Sequence, residues 1–103
     1  MSQARLDRPD GSSLFVLVGD WVRDARGVTL GRASGRHFEV DGRRRGRVQG
    51  TQVLDARDQP LLELDGDDLK AVDGRVLGHF TEGDARQRGV LALAYATFGD
   101  RED

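Results

Sequence analysis

Cysteine is absent from the 103 residues, and lysine occurs once, at Lys70, among sixteen basic side chains. Without thiols there is no disulfide framework, no thiolate metal site and no cysteine nucleophile. Proline occurs twice, tryptophan and tyrosine once each, and histidine only at His37 and His79. A net charge of −2 provides no global basic field, so nucleic acid is not an expected partner. The G-x-x-x-x-G-K-[ST], G-x-G-x-x-G and H-E-x-x-H patterns are all missing, which leaves nucleotide and zincin chemistry without a footing. The stretch from Met1 to Asp10 is polar and lacks the apolar centre of a secretory signal. A cytoplasmic location is the resulting expectation, for a chain of single-domain length.

What the chain does have is one apolar stretch, Arg88-Gly89-Val90-Leu91-Ala92-Leu93-Ala94-Tyr95-Ala96-Thr97-Phe98. Its roughly ten apolar residues are too few to span a bilayer. Read as a helix, Val90, Leu91, Ala94, Tyr95 and Phe98 share one face, while Leu93 and several alanines cover the rest. A helix apolar nearly all round belongs inside something. Asp84, followed by Ala85-Arg86-Gln87, has the chemistry of an N-cap. A helix at about 84–98 follows, with Gly89 either its true start or a point of close packing. A strand with Leu91, Leu93, Tyr95 and Thr97 on one face is the alternative.

Before that stretch the chain repeats itself. Residues 1–12 lack periodicity and read as a flexible N-terminal arm; 13–99 form the single domain, and 100–103 a polar tail. Leu14-Phe15-Val16-Leu17-Val18 is a run of strand formers without alternation, as expected of a strand covered on both faces. Four segments then share one plan: an apolar residue, an aspartate, a turn and a returning stretch. The aspartates are Asp24, Asp41, Asp55 and Asp73. Asp41-Gly42 and Asp73-Gly74 supply the positive φ angles of a two-residue type I′ hairpin turn. Asp24-Ala25-Arg26-Gly27 and Asp55-Ala56-Arg57-Asp58 suit a longer loop, a type I turn closed by a left-handed residue. Glycines after the returning strands (Gly31, Gly46, Gly78) suggest bends between repeats. Counting gives about seven or eight short strands. The fold class is therefore mainly β: repeated short antiparallel hairpins in a small closed or nearly closed barrel, with one apolar C-terminal helix.

Few residues offer chemistry. Arg43-Arg44-Arg45-x-Arg47, with Arg36 nearby, is the sharpest charge feature. It suits a grip on phosphate or an anionic headgroup, and equally a solvated hairpin tip; no aromatics interleave with it as single-strand binders require. Asp65-Gly66-Asp67-Asp68 resembles part of a calcium loop but lacks the later ligands, and reads as a polar turn. His37 and His79 sit beside Phe38 and Phe80 on expected strands, without the neighbours of a triad or a zinc site. Repeat symmetry could bring them together. Trp21, one of six aromatics, is expected to anchor the core, with an exposed strand or binding face as the alternative. Catalytic, metal and cofactor residues are assigned to none.

The hairpin plan, closed by an acidic break and an Ala/Leu-rich segment, resembles the tubby C-terminal-like group, which includes the LURP-one-related and phospholipid-scramblase-like proteins. The residues that carry the likeness are Phe38-Glu39-Val40-Asp41-Gly42, Val53-Leu54-Asp55-Ala56, Val72-Asp73-Gly74-Arg75-Val76-Leu77-Gly78 and the segment from Asp84 to Ala96. The resemblance implies an antiparallel barrel enclosing an apolar C-terminal helix and, through its scramblase-like branch, binding to anionic phospholipid. Such folds have about a dozen strands, and at ordinary strand lengths this chain has room for roughly two thirds of that number. The four aspartate turns are also similar to those of small bacterial β-flower proteins, in which four hairpins surround a pseudo-fourfold axis. The expected function is a non-enzymatic binding or assembly module, with an unknown protein partner or self-association through open strand edges. Binding of an anionic membrane surface through Arg43, Arg44, Arg45 and Arg47 is the alternative.

Overall fold

The apolar stretch is a helix, and it lies in the middle of a ring of strands. The computed structural model describes residues 3–99; the polar tail expected at 100–103 lies outside the described residues. Eleven strands precede the helix: β1 (Gln3–Asp7), β2 (Ser13–Val18), β3 (Trp21–Asp24), β4 (Thr29–Ser34), β5 (His37–Val40), β6 (Arg43–Arg44), β7 (Arg47–Gln49), β8 (Gln52–Leu54), β9 (Pro60–Asp65), β10 (Asp68–Ala71) and β11 (Val76–Thr81). Helix α1 spans Ala85–Phe98.

All strands join one antiparallel sheet in the order β6-β5-β4-β3-β2-β1-β11-β10-β9-β8-β7. It is a meander closed on itself, because β1 pairs with both β2 and β11. Residues 3–7, read from sequence as part of a flexible arm, are thus a strand at the middle of the sheet, where Ala4 and Leu6 are fully buried. Two apolar side chains among polar ones were too weak a period to register as a strand. Eleven strands, rather than seven or eight, fit because each is only two to six residues long. The shortfall against a dozen-stranded barrel therefore largely disappears.

Turn chemistry sorts the two ends of the barrel. At one end Asp41 and Gly42 both have positive φ (54° and 77°), as a type I′ turn demands. Asp24 and Asp55 open the longer loop: each carboxylate accepts backbone N–H bonds two and four residues on, at 2.7–3.0 Å. Gly27 and Asp58 supply the left-handed residue. Asp73 departs from expectation. Its turn is opened by Ala71, whose carbonyl accepts from Gly74 at 2.9 Å, so the aspartate holds the third place and accepts from the Arg75 N–H instead. Arg8-Pro9-Asp10-Gly11-Ser12 repeats that arrangement. Two hydrogen bonds from Ser12, backbone and hydroxyl, hold the Asp10 carboxyl below the usual carboxylate range. This end therefore carries five turns among the described residues, not four. At the other end the two-residue turns begin with Gly19, Gly35, Gly50 and Gly66, at φ 59–62°, the place where a type II′ turn needs glycine.

The helix enters at the glycine-turn end. Asp84 caps it: the carboxylate accepts from the Gln87 N–H (2.8 Å), and the Gln87 side chain accepts from the Asp84 N–H (2.9 Å), a reciprocal capping box. Val90, Leu91, Ala92, Leu93 and Ala94 are all fully buried and face strands around the ring, including β1, β2, β5, β8 and β9. Edge-on ring contacts tie Tyr95 to Phe15 and Phe98 to Phe38, with centroids 6.5 and 6.2 Å apart. Gly89 is the close-packing residue, since a methyl group there would lie 3.3 Å from Val48 Cγ2. Gly31 and Gly78 do not mark bends between repeats. They lie inside β4 and β11, where a Cβ would come within 2.6 Å of the Glu39 and Asp7 carbonyls.

Because α1 fills the ring, truncating it opens a hole the strands cannot close. Leu91→Ala should cost about 2–5 kcal/mol in urea denaturation. The same change at Leu61, which is 37% exposed, should shift the midpoint by a fraction of that.

Candidate functional site

Among the described residues, the arginine run marks the one place where neighbouring strands of the ring do not pair. Every ladder in the sheet is antiparallel, so β6 and β7, at the two ends of an eleven-strand order, point the same way. Only Arg45 and Gly46 separate them. They are two halves of one strand, the first paired with β5 and the second with β8. The Arg45 N–H still donates to the Phe38 carbonyl at 2.8 Å, and the change of partner falls at Gly46. That glycine has φ +69° and abuts the Leu54 carbonyl, so no side chain fits there. Each half-strand leaves one backbone edge without a ladder, and the edges carry the arginines.

Arg43, Arg44, Arg45 and Arg47 are all exposed. Arg47 Nε donates to Asp58 Oδ1 at 2.9 Å. Among the described residues the other three have no acidic partner. Residues opposite one another in a ladder share a face. The registers place Trp21, Arg32, Glu39 and Arg44 in one row across β3 to β6, on the outer face, since the alternating neighbours Val22 and Phe38 are fully buried. The Arg32 guanidinium lies 5.9 Å from the Trp21 ring centroid, within cation–π range. Trp21 is therefore not a core anchor. It is 47% exposed, and the signal was available: it shares a strand face with Arg23, while Val22 and Asp24 take the other. Arg36, close in sequence, sits in the turn before β5, at the opposite end of that strand from Arg43.

A cleft of about 290 Å³ runs beside the seam, lined by His37, Arg44, Arg47, Asp55 and Asp58. The His37 Nδ1 is buried there without a hydrogen-bond partner. His79 lies five strands away around the sheet, its Nδ1 2.6 Å from Asp68 Oδ1, so the two histidines do not meet. The aspartates of the Asp65–Asp68 turn each find a separate partner. Asp65 takes Lys70 (2.6 Å), Asp67 takes Arg88 (2.6 Å) and Asp68 takes His79. The hydrogen bond and charge of Asp65 raise the Lys70 ammonium above its ordinary range. Among the described residues no three histidine or acidic side chains converge as metal ligands would.

Charged side chains on an exposed strand edge oppose pairing with another copy. Changing Arg43 and Arg44 together to Val should make the chain self-associate, read as a concentration-dependent rise in sedimentation coefficient over the parent protein. No protein-family model matches this chain, and no curated protein and no solved structure is detectably similar to it.

Proposed function

We propose that this protein is a non-enzymatic binding or assembly module that recognises an anionic partner on the outside of its barrel, through Arg43, Arg44, Arg45 and Arg47. The carrying observation is the concentration of unpaired positive charge at the seam: three exposed guanidinium groups without an acidic partner among the described residues, on a chain whose net charge is −2. The middle of the ring is filled by α1, and the arginines act from the outer surface. Guanidinium groups suit the task because their planar forks meet carboxylate or phosphate oxygens in pairs.

A specific observation favours an anionic phospholipid surface as a second reading. Trp21 stands half-exposed in the same outer row as Arg32 and Arg44. Tryptophan seats well at a membrane–water boundary, and clustered arginines add attraction to an anionic leaflet.

One set of variants tests both. On an immobilised poly-glutamate column the wild-type chain should be retained and the fourfold Arg43, Arg44, Arg45, Arg47→Gln variant should elute early, with salt erasing the difference; co-elution of the two overturns the proposal. Pelleting with phosphatidylserine-containing vesicles, but not with phosphatidylcholine alone, and loss of pelleting in Trp21→Ser as well as in the fourfold variant, is the outcome expected of the lipid reading. Equal pelleting with both vesicles, or with neither, sinks that reading alone.

A further inference from the structure

A second concavity opens at the other end of the molecule, where the helix enters the ring. It is a cleft of about 460 Å³, between the β7–β8 turn, β9, β11 and the first turns of α1, with walls that include Val48, Thr51, Leu64, Phe80 and Arg88. The volume is in the range of small-molecule sites. Among the described residues that line it, Arg88 is the one ionisable side chain.

Arg88 is held unusually firmly for a surface arginine. Its side chain is only 23% exposed. The guanidinium carbon lies 5.7 Å from the Phe80 ring centroid, and one terminal nitrogen reaches Asp67 Oδ1 at 2.6 Å and, weakly, the Gly66 carbonyl at 3.5 Å. Among the described residues, every hydrogen bond of the guanidinium passes through that one nitrogen. The Nε is buried and bonds nothing, and such an unpaired donor is costly to keep. Asp67 is a weak competitor for the guanidinium, because its own side chain is 76% exposed and exposed ion pairs contribute little. A mainly apolar cleft whose one ionisable lining residue among the described residues is a guanidinium over an aromatic ring, paired only to an exposed carboxylate, suits one ligand chemistry: a small molecule with an apolar body and one carboxylate.

We infer that this cleft binds a small amphipathic monocarboxylate, the apolar body lying against Val48, Leu64 and Phe80 and the carboxylate taking Arg88 from Asp67. The site is separate from the arginine seam and does not depend on it. Displacement of Asp67 frees that side chain to solvent, while the guanidinium exchanges an exposed partner for one inside the cleft, where water competes less.

The test is calorimetric titration of the full chain with octanoate and, separately, with octan-1-ol. Octanoate should bind about tenfold more tightly than the alcohol, the difference a charge-assisted hydrogen-bonded pair supplies. Arg88→Gln should bring the two affinities together. Asp67→Asn, an exposed change that leaves the fold alone, should tighten octanoate binding several-fold, and Thr51→Trp at the rim should block both ligands. The fourfold arginine variant of the seam should bind octanoate as the wild type does, so failure at the seam and failure here are distinguishable. Equal affinity for octanoate and octan-1-ol, no heat from either, or an Asp67→Asn protein that binds octanoate no better than the parent would overturn the inference; the last result holds even if Arg88→Gln fails to fold.

Discussion

Everything in this molecule depends on burying a helix that has no polar face. A fourteen-residue helix is about 21 Å long, and with side chains from Val90 to Ala94 fully enclosed it needs apolar surface on every side. A flat sheet covers one side only. A ring of strands covers all of them, and each strand can then be very short because the helix supplies the far wall of the core. That explains how strands of two to six residues, individually far too small to be stable, persist together. It also explains the aspartate and glycine turns. A ring with so many corners in so few residues needs corners of two to five residues, and the chain provides them with Asp-Gly, Gly-x and aspartate-opened loops.

Much of this was legible in the sequence because it is local. The helix, its Asp84 cap and the left-handed residue closing the Asp24 and Asp55 loops each follow from the chemistry of a few neighbouring side chains, and each is found. The readings that differed concern what packs against what. β1 alternates only Ala4 and Leu6 among polar residues, and its place at the centre of the sheet rests on pairing with β11 across the whole length of the domain. Gly31, Gly46 and Gly78 read alike as bends. Only in three dimensions is Gly46 the point where a strand changes partner, and are Gly31 and Gly78 points where two backbones approach. Asp73 precedes a glycine as Asp41 does, but its turn begins two residues earlier, at an alanine that nothing in the local pattern distinguishes.

The candidate site was legible as a cluster and not as a place. Four arginines in five residues are obvious in the sequence, but a hairpin tip was the natural position for residues following Asp41-Gly42. Their location along an incompletely paired seam depends on the parity of eleven antiparallel strands. Trp21 reads as a core anchor because the chain has only six aromatics, although the alternation of Trp21 and Arg23 against Val22 and Asp24 points outward. Arg88 could not have been singled out at all, since its setting over Phe80 and beside Asp67 joins residues from three separate elements.

The order of elements along the chain has a consequence for how the molecule is made. Ring closure joins Arg5 to Thr81, partners roughly seventy-five residues apart, and the entropy of closing so long a loop is met before the contact rewards it. The helix that fills the ring follows all eleven strands, so a ribosome delivers the wall before the core. Until α1 emerges, the inward faces of Leu6, Phe15, Leu17, Val22 and Phe38 have no helix to pack on, and the local hairpins expose an apolar side. Such a chain completes its core only once α1 is available, and strand edges left exposed in the interval invite aggregation.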